Sequence, residues 1–272
     1  MYVNYDHDPV IFTFNFVGKV ILYVVLGILV PQAFWLIYDS YMGDAYKARK
    51  SNDKKDVVLK FYLLASLFFG GYDLYLAGYS TLFEYGAGSS CPLSHLTKMT
   101  ETQALLLEVV LFWDCFDIGL LLGHGVTTVP LQELLLHHIP SIIGIGYQLC
   151  NNVGGGLMAL FLLDGTTHMV SVFEDLLKGK KITHTKNLLL GTTFIKLRIA
   201  RFNYKTVYDL IQEAYWSAYL LTRIITYTWG SLQIVYVILT YNLSMSYCSI
   251  DNTWSVLIFL WISYANYDHW TT

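Results

Sequence analysis

The stretch "LQELLLHHIPSIIGIGYQLC", residues 131 to 150, sets two adjacent histidines, His137 and His138, into a run of leucine and isoleucine about as long as a membrane crossing. A helix rises about 1.5 Å per residue, so about 20 residues reach across about 30 Å of hydrocarbon. Imidazoles at such depth are costly, and they mark either chemistry or a hydrogen-bonded contact between helices. Which of the two holds depends on what neighbouring segments bring to the same level.

The rest of the chain has the same character. Of its 272 residues 55% are hydrophobic and only 14% charged, too apolar a balance for a soluble domain. Several runs approach spanning length, and none alternates as the strands of a membrane barrel do. The expected fold is all-α, a polytopic transmembrane helix bundle. A formal net charge of −3 and the lack of a long basic run interleaved with aromatics exclude nucleic acid as a partner class. The opening "MYVNYDHDPV" carries two acids and no cation, a poor leader peptide, so the first span is expected to do the targeting.

Apolar runs bounded by charges and turn residues predict about seven spans, near 12–38, 57–80, 103–122, 131–150, 153–173, 216–243 and 251–269. Pro31 falls inside the first, where it frees a backbone carbonyl. Segment 187–204 mixes apolar residues with Lys196, Arg198 and Arg201 and is expected to lie in the interface. Cations collect in the loop of Lys47, Arg49, Lys50, Lys54 and Lys55 and in the segment from Lys178 to Lys205. With seven spans both fall on one side, so the N-terminus is expected to face away from the cytosol or matrix. The membrane is expected to be that of the endoplasmic reticulum or the mitochondrial inner membrane. No internal repeat or Pro-rich linker divides the chain.

Counting rise from the cation-flanked side, His137 and His138 lie roughly 10 Å deep, Asp117 roughly 8–10 Å, Asp164 and His168 roughly 8–14 Å, and Arg223 about 10 Å. Four spans thus bring acids, imidazoles and a guanidinium to one layer. Asp114 with Asp117, Asp164 with His168, and Glu133 with His137 are spaced i,i+3 or i,i+4 and share helix faces. The two adjacent histidines diverge by about 100°, so one is expected to face the cavity and the other to brace a neighbour. A desolvated imidazole oriented by a carboxylate can act as nucleophile or general base, and an amphiphile with its head in this layer makes acyl transfer on a lipid the natural chemistry.

These residues resemble a known family. "ELLLHHIPSIIGIGYQLCNN" followed by "GGGLMALFLLDGTTH" is similar to the core of the TLC-domain family, the multi-span proteins that include the ceramide synthases, and closer to its small members. The resemblance covers about 57–245, the expected TLC-like transmembrane core, and implies a six-helix core within a fold of about seven spans, with 1–56 expected as an N-terminal span and basic loop and 246–272 as a C-terminal span. It implies transfer of an acyl chain from acyl-CoA, as co-substrate, to a lipid amine, with His137, His138 and Asp164 catalytic. Asp117 in "FWDCFDIGLLL", Arg223 in "YLLTRIITYTW", Asn152 of the Asn pair and His168 are then the substrate-binding candidates. A second Asp shortly after the first, usual in ceramide synthases, is replaced here by "DGTTH".

Each feature has a plainer reading beside it. The histidines and Asp164 can be helix-packing groups, and Asp117 and Arg223 can hold the bundle together as buried partners. No HxxHH-like clusters occur, so no metal is expected. "VGGGL" at 153–157 lacks the Lys-Ser/Thr of a phosphate loop and suits close helix packing. Cys91 and Cys248 fall on the same outward side, where they can be bridged or free. Two functions follow from the sequence: a lipid acyltransferase or lipid-binding protein, with Lys178 to Lys205 attracting a CoA or lipid phosphate, or a non-catalytic accessory subunit of a larger membrane assembly, whose partners are lipids and other membrane subunits.

Overall fold

The computed structural model describes residues 13–42, 53–84, 99–126 and 131–163, with the single positions 217, 225, 228, 229 and 232. Apart from those single positions, the expected spans at 216–243 and 251–269 and the interfacial segment 187–204 lie outside the described residues, as does the part of 153–173 beyond 163. So do Cys91 and Cys248.

Among the described residues all regular elements are helices: α1 (Phe14–Met42), α2 (Asp53–Tyr79) continued by a π-helical turn (Ser80–Glu84), α3 (Glu101–His124), α4 (Leu131–Asn151) and α5 (Gly155–Leu162). Two of them are long and apolar enough to cross a membrane, over Phe14–Tyr41 and Val57–Glu84. The first exposes Ile21, Leu29, Leu36 and Ile37, each more than half accessible. Water would penalise that surface and hydrocarbon would not. α3 is 24 residues long but carries Glu108, Asp114 and Asp117 along its length.

The helix ends follow local chemistry that hydropathy does not register. α1 starts one residue after Thr13, whose hydroxyl accepts from the Phe16 backbone N–H at 3.2 Å. At the start of α3, Thr100 and Gln103 form a reciprocal capping box. Glu84, at the end of the π turn, accepts from the Thr100 and Thr102 hydroxyls at 2.6 and 2.9 Å, which ties α2 to the start of α3. Gly125 ends α3 in the left-handed conformation, its N–H on Leu121 at 2.8 Å. Asn152 (φ 56°) and Gly154 (φ 76°) turn the chain from α4 into α5, and the Asn152 carbonyl accepts from Met99 at 3.3 Å.

Contacts along α3 fix the directions of the other helices. Gly27 of α1 meets Gly119, and Ile28 meets Gly123 and His124, whereas Lys19 pairs with Glu108 earlier on both helices. α1 therefore runs parallel to α3. Tyr62 meets Asp117 while Leu76 packs with Leu106, so α2 runs antiparallel. His138 meets Asp117 while Asn152 meets Met99, so α4 is antiparallel too, and α5, with Gly155 at Met99 and Ala159 at Leu106, is parallel again. Successive helices thus alternate in direction around α3.

The α1–α3 crossing is close because both helices present glycine. A Cβ on Gly27 would lie 3.0 Å from the Gly119 Cα, and one on Gly119 would lie 2.9 Å from the Gly27 Cα. Four residues on, Gly123 faces Ile28, the spacing of small residues that lets membrane helices approach. Pro31 removes the N–H that would bond the Gly27 carbonyl, and α1 continues through it to Met42. Apolar packing completes the bundle, with Leu107, Leu111, Cys115 and Ile145 fully buried at its centre beside Leu157 and Phe161.

Candidate functional site

Halfway along this packed interface lies a polar layer. Asp114 and Asp117, three apart on α3, project from one face and bracket the ring of His138 on α4. The imidazole Nε2 is 3.1 Å from Asp117 Oδ2, and Nδ1 is 2.8 Å from Asp114 Oδ1, the latter a close ionic contact off the N–H line rather than an aligned hydrogen bond. All three side chains are buried. From α2, the Tyr62 hydroxyl donates to the same Asp117 Oδ2 at 3.0 Å. Tyr62 is aimed by stacking on Trp113, with ring centroids 5.2 Å apart.

Proton counting constrains this group. An ionised carboxylate only accepts, and a neutral imidazole has one N–H. Two carboxylate oxygens at two ring nitrogens therefore need two protons between them, on the ring or on one ring nitrogen and one acid. Either distribution leaves the three groups with a net charge of −1. Among the described residues Asp114 Oδ2 and Asp117 Oδ1 have no hydrogen-bond partner, nor does Asp73 Oδ1 on α2, which lies within Coulomb reach of Asp114. Buried oxygens of this kind are costly unless something else meets them.

The expected site residues separate in the structure. His138 and Asp117 are brought together. His137 is exposed, its ring edge-on to that of His138 at 5.4 Å between centroids. Asn152 lies roughly 21 Å along α4 from His138 by helical rise, at the turn into α5. Its neighbour Asn151 donates to the Tyr147 carbonyl at 2.8 Å. Asp164, His168 and Arg223 lie outside the described residues. The resemblance gives the catalytic carboxylate to Asp164, whereas the two carboxylates that contact the imidazole here belong to α3. Sequence reasoning passed over Tyr62 and Asp73 entirely, although Tyr62, Ser66 and Asp73 recur at spacings of four and seven on α2, a signal of one polar face.

Among the described residues no set of three or more His, Cys, Asp or Glu side chains could hold a metal ion. A second polar contact joins α1 to α3, where Lys19 pairs with Glu108 and the Tyr23 hydroxyl donates to Glu108 at 3.3 Å. Cys115 and Cys150 are free thiols.

No protein-family model matches the chain, and no curated protein or solved structure matches it either.

Proposed function

We propose that this is an integral membrane protein of TLC-like type that holds a lipid amine at the His138 layer and acylates it from acyl-CoA. The observation that carries the reading is the net negative, carboxylate-bracketed imidazole inside an apolar bundle, with two buried carboxylate oxygens unpaired among the described residues. A lipid ammonium meets those oxygens, and its tail lies among the apolar helix faces. His138 then serves as the base and His137 and Asp164, on the resemblance, complete the centre.

The reaction balances without a metal or oxidant. The ammonium gives a proton to the centre, the amine nitrogen attacks the thioester carbonyl, a C–N bond forms and the C–S bond breaks. The departing thiolate leaves as CoA thiol after taking one proton from the centre, and one further proton is released overall. General-base assistance of this kind contributes about 10²–10⁴-fold.

The test is purified protein in detergent with a long-chain lipid amine and long-chain acyl-CoA, with amide product measured by mass spectrometry. The expected result is amide formation by the wild type and a loss of about 10²-fold or more in His138→Ala. A wild type that forms no amide with any chain length overturns the enzymatic reading.

One observation favours a second reading, a non-catalytic accessory subunit. Both His138 nitrogens are already engaged by carboxylates of one neighbouring helix, as expected of a brace between α3 and α4. Absence of amide together with a bundle that depends on His138 for folding supports that role.

A further inference from the structure

α2 carries a polar stripe that the His138 centre does not account for. Tyr62, Ser66, Asp73, Ser80 and Glu84 are spaced four, seven, seven and four apart, which keeps them near one face of the helix and its π-helical continuation. By helical rise the stripe spans roughly 33 Å, about the thickness of the hydrocarbon core. Ser66 and Ser80 are 1% and 0% accessible, so the stripe is turned inward rather than to lipid. Tyr62 and Glu84 at its ends are paired, but among the described residues Ser66 Oγ, Asp73 Oδ1, Ser80 Oγ and the adjacent Thr81 Oγ1 have no hydrogen-bond partner, and across the interface neither do Asp114 Oδ2 and Asp117 Oδ1.

A helix–helix seam that needed only adhesion would pair these groups or dispense with them. Buried, unpaired hydroxyls and a carboxylate along the middle of a spanning helix, between paired groups at its two ends, are what a moving proton needs, since each can accept and then release one through water. The π turn at Ser80–Glu84 opens the ladder at one end, a distortion common where a helix is used for more than packing.

We propose that the α2–α3–α4 seam, from Glu84 through Asp73 and the Asp114–His138–Asp117 group to Tyr62, is a transmembrane proton path. In the central step, Asp114 passes a proton to His138 Nδ1 while Nε2 releases its own to Asp117. The imidazole is neutral before and after the step, its single N–H moved from Nε2 to Nδ1, and a turn of the ring resets it. No ion larger than a proton need pass the bracketed ring. Charged groups on the other packed helix, Lys19 and the Glu108 it pairs with, face the α1–α3 contact and stand outside the path. This inference does not depend on acyl transfer.

The experiment uses full-length protein in phosphatidylcholine vesicles carrying an internal pH dye, with a potassium gradient and valinomycin to drive protons and no acyl-CoA present. The expected result is a proton flux above that of protein-free vesicles, lost in Asp73→Asn and retained in Asp73→Glu. If Asp73→Asn does not incorporate, Tyr62→Phe takes its place with the same expected loss. Wild-type vesicles no leakier than protein-free ones, or a substituted protein that conducts like the wild type, would overturn the proposal.

Discussion

His138 on α4 and Asp117 on α3 meet at 3.1 Å through Nε2 and Oδ2, and the same carboxylate oxygen takes the Tyr62 hydroxyl of α2 at 3.0 Å. One atom therefore joins three helices. Removing the imidazole strands two buried carboxylates, and breaking a buried pair in this way costs about 3–5 kcal/mol. His138→Ala is expected to lower the thermal midpoint in detergent far more than His137→Ala, whose side chain is exposed; equal effects would contradict the geometry.

Tyr62→Phe keeps the stacking on Trp113 and deletes only the hydroxyl. A hydrogen bond to a charged acceptor contributes about 1.5–3 kcal/mol. In an Asp117→Asn background the same substitution is expected to have a clearly smaller effect, and a double-mutant cycle in thermal or denaturant unfolding reads the difference.

Glycines in the same helices divide by what faces them. Gly27→Ala or Gly119→Ala drives a methyl into the opposing backbone and is expected to destabilise by about 1–3 kcal/mol. Nothing lies within 4 Å of a Cβ at Gly18 or Gly78, so alanine there is expected to be neutral or stabilising by about 0.5–1 kcal/mol. Melting curves of the four variants check the contrast.

Thr100→Ala removes the hydroxyl that caps α3 and bonds Glu84. Loss of an N-cap costs about 0.5–2 kcal/mol. Hydrogen exchange is expected to rise in the first turn of α3 and in the π turn together, because Glu84 holds both.

The bundle and its polar layer were legible in the sequence to different depths. Long apolar runs mark α1 and α2 because hydrocarbon length is written directly into composition. The ends were less legible. Residues 53–56 are charged yet helical, with Lys54 reaching Gln32 of α1 at 2.8 Å, a partner that no local signal reveals. That Asp114 and Asp117 share a face followed from their spacing. Which histidine turns inward did not, because a 100° divergence leaves the choice to whichever face α3 covers. Tyr62 escaped notice because a tyrosine in an apolar run reads as an interfacial anchor until a carboxylate is found opposite it. Asp73, within a run rich in glycine and aromatics, gave no pairing signal, and in the structure its Oδ1 has none to give.

Two carboxylates of α3 bracket the His138 imidazole. Nitrogen NMR of ¹⁵N-histidine-labelled protein in bilayers reads this bracket at the ring itself. The expected His138 signal has both ring nitrogens engaged, the Nε2 resonance moving in Asp117→Asn and the Nδ1 resonance in Asp114→Asn. An imidazole whose resonances ignore both substitutions would contradict it.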